Sequence, residues 1–170
     1  LNAVPKGNIP VGGSLCGVNN SPCTGTPVLR AFNPAGAVSS TITPFDGAFF
    51  AALSDERTQI LYRASDLLAA GFTAGVFSQI GINIPAKATV FPFQFLNVKL
   101  GCTNKNALTA GTWEPTTLVY TNDTYLTIAG WNDFVLQSTF DWDGVSNIVL
   151  EICWNNDDGF VSSGGDPVLA

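Results

Sequence analysis

The sequence predicts an all-β protein, built as a sandwich or a barrel, with one short helix. Three observations support this fold class. Short apolar runs alternate with polar residues, turn-forming residues separate the runs, and charged residues make up only 12% of the 170 residues. Soluble proteins average about 25% charged residues, so a Glu- and Lys-rich helical bundle is excluded. The apolar runs are far shorter than the roughly 18 residues of a membrane span, so no membrane span is expected.

Seven segments have the composition of β-strands. They are residues 57–63, 76–84, 90–100, 116–120, 125–129, 131–137 and 147–154. In the second segment Val76, Ile80, Ile82 and Ile84 share one face, which the period of two assigns to the core. In the third, Phe93 and Phe95 are expected on one face and Leu96 on the other. In the last, Glu151 is expected to point away from the core.

One segment, residues 65–71, interrupts the β pattern with the sequence SDLLAAG. Ser65 can cap the first amides of a helix, and Asp66 complements the positive end of the helix dipole. Gly71 can adopt the left-handed conformation that ends a helix. We therefore predict one or two helical turns here, as a short connector between strands.

The distribution of proline and glycine divides the chain into three parts. Residues 1–44 contain six prolines and six glycines and form an N-terminal arm, with short extended pieces at 9–11, 28–32 and 39–43. Residues 45–160 form the β-sandwich or barrel domain. Residues 161–170 are typical of a tail or linker.

The charge and the absence of histidine argue against two function classes. The formal net charge is −6, and the seven basic residues are scattered, so no nucleic-acid partner is expected. Without histidine, the usual general base and the Ser-His and Cys-His pairs are missing. We predict that the protein is not an enzyme. The remaining enzymatic alternative is a glycoside hydrolase that pairs Glu151 with Asp141 or Asp143.

Four cysteines predict two disulfides, because their spacing fits no zinc motif and no histidine could complete one. Cys16 and Cys23 flank a run of turn-forming residues and are expected to pair. Cys102 and Cys153 would then form a second bridge between strands. Disulfides imply an oxidising compartment, which predicts an extracellular protein. The alternative is four buried free thiols in a reducing cytosol.

Asp141, Asp143 and Asn147 form the most motif-like cluster of polar residues. Their oxygens are of the kind that Ca²⁺ prefers, but the spacing lacks the closing glutamate of the 12-residue calcium loop. A β-hairpin turn, with Asp143 and Gly144 at positive φ, is the favoured alternative. Ca²⁺ is thus the one cofactor that the sequence suggests, and no cofactor at all is the simpler expectation.

A second polar cluster surrounds Trp154 and includes Asp157 and Asp158. An exposed tryptophan beside acidic residues could bind a glycan, since aromatic rings offer flat apolar faces. Trp154 is the tryptophan most expected to be exposed, whereas Trp131 and Trp142 are expected in the core. A solvated turn is the alternative for the two aspartates.

The N-terminal arm carries apolar residues that a neighbouring molecule could bury: Val4, Ile9, Val11 and Leu15. An extended arm can complete the open sheet edge of another copy through main-chain hydrogen bonds. Head-to-tail contacts of this kind do not close and therefore build filaments. Two alternatives for the arm are weighted equally with exchange between copies: a simple linker, and an edge strand packed on its own domain.

Several spaced stretches together resemble a module of large secreted surface proteins in gliding and related Bacteroidota. The stretches are 55–62 (DERTQILY), 64–67 (ASDL), 69–75 (AAGFTAG), 99–103 (KLGCT), 130–132 (GWN), 140–147 (FDWDGVSN) and 150–156 (LEICWNN). The resemblance covers about residues 45–157. It implies a non-enzymatic, two-sheet antiparallel β-sandwich of jelly-roll type, displayed at the bacterial cell surface in adhesins or other assemblies. The N-terminal arm with Cys16 and Cys23 departs from that pattern.

The sequence therefore leads to two expectations for function. One is a binding module of adhesin type, touching glycans or neighbouring surface domains, with a Ca²⁺-dependent carbohydrate-binding module as its variant. The other is a structural subunit that binds other copies of itself and forms a surface fibre.

Overall fold

The computed structural model of the protein describes residues 2–4, 16–18, 28–29, 44–45, 55–156 and 166. Nine strands and one helix lie in these ranges. In chain order they are β1 (Asn2–Val4), β2 (Gly17–Val18), β3 (Val28–Leu29), β4 (Asp55–Tyr62), α1 (Ala64–Ala69), β5 (Gly75–Ile84), β6 (Phe93–Thr103), β7 (Thr117–Tyr125), β8 (Gly130–Trp142) and β9 (Asn147–Asn155). The helix has six residues, and within the described ranges no helix is both long and apolar enough to cross a membrane.

The strands form two antiparallel sheets. One has five strands in the order β2-β8-β5-β1-β3, and the other has four in the order β4-β9-β6-β7. Every strand pairing is antiparallel. The prediction of an all-β sandwich with one short helix is thereby confirmed.

The core lies between the two sheets and is rich in aromatic side chains. The five-stranded sheet contributes Phe77, Ile80, Ile82, Ile84, Phe134, Phe140 and Trp142, and the four-stranded sheet contributes Phe93, Leu96, Val98, Leu100, Ile148, Leu150, Ile152 and Trp154. Ile80, Ile82 and Ile84 lie in this core as predicted. Val76 is buried but lies outside it, because the register shift between Phe77 and Gln79 brings Phe77 to the core face instead. Each such side chain stabilises the fold by about 1.5–3 kcal/mol through the removal of apolar surface from water.

β7 is one continuous strand where the sequence predicted two. Residues 126–129 form the connection to β8, and buried Asn132 holds it in place. The Asn132 Oδ1 atom accepts from Ile128 N (2.9 Å) and from the Tyr125 hydroxyl (3.3 Å), while its Nδ2 donates to Ile128 O (2.8 Å). The amide side chain thus replaces the sheet partners that these backbone groups lack.

The expected alternation along β6 is wrong at its start. Phe93 and Leu96 are three residues apart, yet both are buried in the core. The alternation therefore slips by one position between them, at Phe95, whose φ is 51°. Phe95 is 50% exposed and does not share a face with Phe93.

The helix begins one residue earlier than predicted and is capped differently. Arg63 occupies the N-cap position and makes no side-chain capping bond. Instead, the side chain of Asn147 accepts a hydrogen bond from Ala64 N at 2.7 Å. At the other end Gly71 has the predicted left-handed conformation (φ 85°), with Phe72 N bonded to Leu67 O at 3.0 Å. These bonds form the motif that commonly ends a helix at glycine.

The predicted cysteine pairing is wrong. Cys16 is bonded to Cys102, with their Cα atoms 6.0 Å apart, and Cys153 is a free thiol. In the register of β6 with β9, Cys153 faces Asn97, five residues before Cys102. Five residues of strand span about 17 Å, whereas a disulfide needs Cα atoms closer than about 7 Å. A disulfide remains consistent with an oxidising, extracellular setting.

Part of the sequence-based prediction lies outside the described residues. This applies to Cys23, Ile9, Val11, Leu15, Asp157, Asp158 and the extended pieces at 9–11 and 39–43. Of the piece predicted at 28–32, the strand Val28–Leu29 is described. In the segment predicted as a tail, Asp166 is buried and its amide donates to Phe45 O at 2.9 Å.

Candidate functional site

Asp143 organises the β8–β9 hairpin. Its Oδ1 accepts from the amides of Val145 (2.9 Å) and Ser146 (2.8 Å), and its Oδ2 accepts from the Ser146 hydroxyl (2.6 Å). Burial raises the pKa of Asp143, but these bonds outweigh it and leave the pKa below its usual value. Of the two residues expected at positive φ, Gly144 has it (78°) and Asp143 does not. Both carboxylate oxygens are therefore engaged in the turn.

The other two residues of the predicted Ca²⁺ set point elsewhere. The Asn147 side chain accepts a hydrogen bond from Ala64 N and donates one to Lys105 O. These bonds join the hairpin to the helix and to the β6–β7 connection. Asp141 is buried in β8, opposite Gly17 of β2. In the described part of the chain, no group of three or more His, Cys, Asp or Glu residues is placed to hold a metal ion.

Two tryptophans exchange the environments that the sequence predicts for them. Trp154 is only 3% exposed, packs edge-on against Phe93 with ring centroids 5.0 Å apart, and donates to Pro44 O at 3.1 Å. Trp131 is 50% exposed. The reason is strand parity, since Trp154 has the same parity as Ile152 and Leu150, which face the core. The prediction of an exposed Trp154 is wrong, and so is that of a buried Trp131.

Glu151 is the centre of a polar cluster on the outer face of the four-stranded sheet. It points away from the core, as predicted, and is nevertheless fully buried. Its carboxylate accepts hydrogen bonds from Arg57 (2.9 Å), Gln59 (2.7 Å), Lys99 (2.9 Å) and Thr116 (2.9 Å). The register of the sheet aligns Gln59, Glu151 and Lys99 in one row across β4, β9 and β6.

The surroundings of Glu151 favour the charged form of its carboxylate. Burial raises its pKa, but the four hydrogen bonds, beginning with that from Arg57, outweigh burial and bring the pKa to about 2. Asp141 lies in the other sheet, and Asp143 binds its own turn. The pair of carboxylates that glycoside hydrolysis would require is therefore not assembled from Glu151 with Asp141 or Asp143.

The β6–β7 connection, residues 104–116, covers one end of this outer face. The Gln59 side chain pairs with both backbone groups of Glu114, donating to its O (2.8 Å) and accepting from its N (2.9 Å). Gly101 is required beneath it, because a Cβ atom there would lie 2.1 Å from Pro115 O. Glu114 in turn accepts from Thr103 and Lys105. Val149 and Glu151 are sealed from water by this cover.

Beyond the cover, the outer face opens into a groove of about 360 Å³. Its lining includes Asp55, Arg57, Phe95, Asn97, Cys153 and Asn155. Arg57, Cys153 and Asn97 lie in one row across three strands, adjacent to the row of Glu151. The Arg57 guanidinium lies 4.2 Å from the ring centre of Trp113, which belongs to the cover.

Trp154, predicted from the sequence as a glycan-binding residue, does line this groove, but not as an exposed ring. Its ring belongs to the core. Phe95 and Asn97 in the lining, and Trp113 beside Arg57, were not predicted, because these contacts depend on sheet register and on the cover. The signal in the sequence was the pair of aromatic residues Phe93 and Phe95 near the start of one strand.

The N-terminal strand occupies an internal position in the five-stranded sheet. β1 pairs with β5 on one side (Ala3 opposite Phe77) and with β3 on the other (Ala3 opposite Val28). Val4, one of the predicted arm residues, lies opposite Val76. In this structure β1 therefore fills the place beside β5 within its own chain, as the packed-strand alternative for the arm expects.

The protein is thus a disulfide-linked, two-sheet β-sandwich with a groove on the outer face of its four-stranded sheet. Comparison with protein-family models, with curated protein sequences and with solved structures gives no match for this chain. The likeness to surface modules of Bacteroidota stays a prediction.

Proposed function

We propose that the protein is a non-enzymatic structural subunit of an extracellular surface assembly, in which β1 of one copy completes the sheet of the next. The observation that carries this proposal is the position of β1. It is three residues long and lies between β5 and β3. A strand that short is held chiefly by its backbone hydrogen bonds to the two neighbouring strands. These hydrogen bonds are the same whether β1 comes from the same copy or from another copy of the chain.

The length of chain after β1 supports exchange between copies. Eleven residues separate Val4 from Cys16, which is bonded to Cys102 in β6 and so belongs to the sandwich. Twelve residue steps can span up to about 40 Å, which exceeds the diameter of a small domain. A subunit can thus stay anchored at Cys16 while its first residues reach a neighbour.

A subunit whose β1 has left its own sheet has unpaired backbone groups on β5. These groups favour binding of β1 from another copy, and so favour a polymer over a monomer with an empty β1 position. Without β1, the amides and carbonyls of β5 beside Val76, Phe77 and Gln79 would have no partner on that side. Unpaired edges are templates for strand addition. Each subunit would give its own β1 and receive another, a head-to-tail contact that repeats without closing.

The surface setting rests on two supports. The Cys16–Cys102 bridge fits an oxidising compartment. Two of the stretches that resemble Bacteroidota surface modules, 140–147 and 150–156, lie in β8, the hairpin and β9. β8 and β9 are internal strands of the two sheets. On this proposal the protein is displayed at a bacterial cell surface as a fibre subunit or adhesin-like module.

Electron microscopy and light scattering of the purified protein test the proposal. We expect the full chain to form filaments or oligomers as concentration rises, and the chain lacking residues 1–4 to remain monomeric. A synthetic peptide of residues 1–8 should bind that truncated chain. Such binding would show that the truncated chain is folded and that the position of β1 between β5 and β3 is accessible. Val145→Ser, in the exposed hairpin, is the matched control and should assemble like the unaltered protein. A full chain that is monomeric at every concentration, or a truncated chain that still assembles, contradicts the proposal.

A further inference from the structure

We propose that the groove on the outer face of the four-stranded sheet binds an uncharged sugar residue, with Phe95 as the stacking ring and Arg57, Asn97 and Asp55 as hydrogen-bonding groups. The groove lies on the opposite sheet from β1, so this inference is independent of strand exchange. Its volume, about 360 Å³, falls in the range of small-molecule sites, about 300–1,000 Å³.

Phe95 is the first argument for a ligand. It is the one non-glycine residue at positive φ in the described part of the chain, and its ring is 50% exposed beside the groove. Such a backbone conformation costs about 1–3 kcal/mol for a bulky residue. The left-handed residue allows Phe93 and Leu96, on either side of it, both to face the core. The strain directs an aromatic ring outward, where it can stack on the apolar face of a ligand.

Arg57 is the second argument, because its guanidinium is held in place before any ligand arrives. It donates to Glu151 at 2.9 Å and lies over the Trp113 ring at 4.2 Å, yet 44% of its side chain is exposed. A guanidinium fixed on two sides presents its remaining donors in a constant direction. Fixed donors bind hydroxyl groups with less loss of side-chain entropy than mobile ones.

The charge of the lining disfavours an anionic ligand. Asp55 and Glu56 face the groove together with Arg57, whose positive charge is already paired with buried Glu151. The whole chain also has a net charge of −6. An anionic sugar or a phosphate would therefore be repelled. A purely apolar ligand would cover Asp55, Arg57 and Asn97 without replacing their hydrogen bonds to water. A pyranose ring, apolar on its faces and hydroxylated at its rim, satisfies both requirements.

Cys153 supplies a reporter for occupancy, because its thiol is free, partly exposed and part of the groove lining. The probes are soluble hexasaccharides of glucose, mannose and N-acetylglucosamine, with hexagalacturonate as the acidic comparison. Binding is measured by amide chemical shifts in NMR and by the alkylation rate of Cys153, followed by peptide mass spectrometry. We expect at least one neutral hexasaccharide to bind with a Kd below about 1 mM and to slow the alkylation.

Variants locate the binding to the groove. Phe95→Gly removes the ring and suits a positive φ, so it should fold normally and weaken binding about tenfold or more, whereas Phe95→Tyr should retain binding. Trp131→Ala is the matched control, since Trp131 is equally exposed on the other sheet. The proposal is overturned if no neutral probe binds, if hexagalacturonate binds more tightly, or if Trp131→Ala rather than Phe95→Gly abolishes binding. Phe95→Gly should assemble into filaments like the unaltered chain, so failure here and failure of strand exchange are distinguishable.

Discussion

Cys16 is bonded to Cys102 across 86 residues of sequence, and the bond joins the two sheets of the sandwich. Cys16 directly precedes β2 at the edge of the five-stranded sheet, while Cys102 lies in β6 of the four-stranded sheet. β2 itself makes only two residue pairs, Gly17 with Asp141 and Val18 with Phe140. The covalent bond therefore fixes a strand that these two residue pairs alone hold weakly.

Loss of this bond should destabilise the protein strongly. A bridge that closes so long a loop restricts the unfolded chain, and its removal commonly costs about 2–5 kcal/mol. We expect the double variant Cys16→Ser/Cys102→Ser to lose that amount in urea unfolding. Cys153→Ser is the control, and its loss should stay within about 1 kcal/mol because no bond is broken. Equal losses in the two variants would show that the bridge is not the stabilising feature.

Glu151 should make stability depend on pH in the acid range. Its pKa falls from 4.5 to about 2 on folding. A lowered folded-state pKa stabilises the protein fully above the unfolded value, and this stabilisation is lost as pH falls from about 4.5 to about 2. We expect Glu151→Gln to cost on the order of 2–3 kcal/mol at pH 7 and much less at pH 2. The measurement is urea unfolding at both pH values. A difference that stays constant between pH 7 and pH 2 would contradict this account of Glu151.

Asp166 should tie the C-terminal segment to the β5–β6 connection. Its carboxylate accepts from the amides of Ala88 (2.7 Å) and Thr89 (2.8 Å) and from the hydroxyls of Thr89 and Thr127. Burial raises its pKa, but these bonds outweigh burial and bring the pKa below its usual value. We expect Asp166→Asn to cost about 1–3 kcal/mol, because an amide offers one acceptor oxygen to four donors.

Hydrogen exchange measures this effect locally. The amides of Ala88 and Thr89 should exchange faster in Asp166→Asn than in the unaltered protein, whereas Asp123→Asn, at an exposed position, should leave them unchanged. Unchanged exchange at both amides in Asp166→Asn would mean that the contact does not hold this segment.

The hairpin turn should depend on Asp143 and not on Ca²⁺. Asp143 acts as a local cap for two amides and one hydroxyl, so Asp143→Ala should lower stability by about 1–2 kcal/mol. Since its oxygens are already engaged, we expect millimolar Ca²⁺ to leave the thermal midpoint unchanged. A rise of several degrees with Ca²⁺, absent in Asp143→Ala, would favour the cation site that the sequence suggested.

The fold could be predicted from the sequence because strand alternation and core formation are local in origin. Ile148, Leu150 and Ile152 are alternate residues of one strand, so their apolar side chains predict which face is buried. The outward position of Glu151 follows from this alternation. Gly71 likewise predicts the end of the helix through its own backbone preference. What failed depended on register and on distant contacts. The partner of Cys102 is set by how β2 meets the other sheet, which no local pattern encodes.

The candidate groove illustrates the same limit at the level of function. Glu151 was a visible acidic residue in an apolar strand, but its four donors come from β4, β6 and the cover over the sheet. Phe95 was visible as a surplus aromatic, but its outward direction depends on a left-handed residue in mid-strand. A phenylalanine is rarely found in that conformation, so the outward direction of its ring could not be predicted from the sequence.

Strand exchange is tested most directly by trapping β1 against β5 between two different copies. Asn2 and Gln79 are register partners, so Asn2→Cys in one copy and Gln79→Cys in a copy of different mass should form a mixed disulfide. Cys153→Ser in both copies removes a competing thiol, and Val145→Cys in place of Gln79→Cys is the control. We predict a covalent dimer of unequal copies, seen by mass spectrometry, for the register pair only. If the two cysteines in one chain cross-link solely within a monomer, and mixed copies never do, β1 stays in its own sandwich and the assembly proposed here does not form.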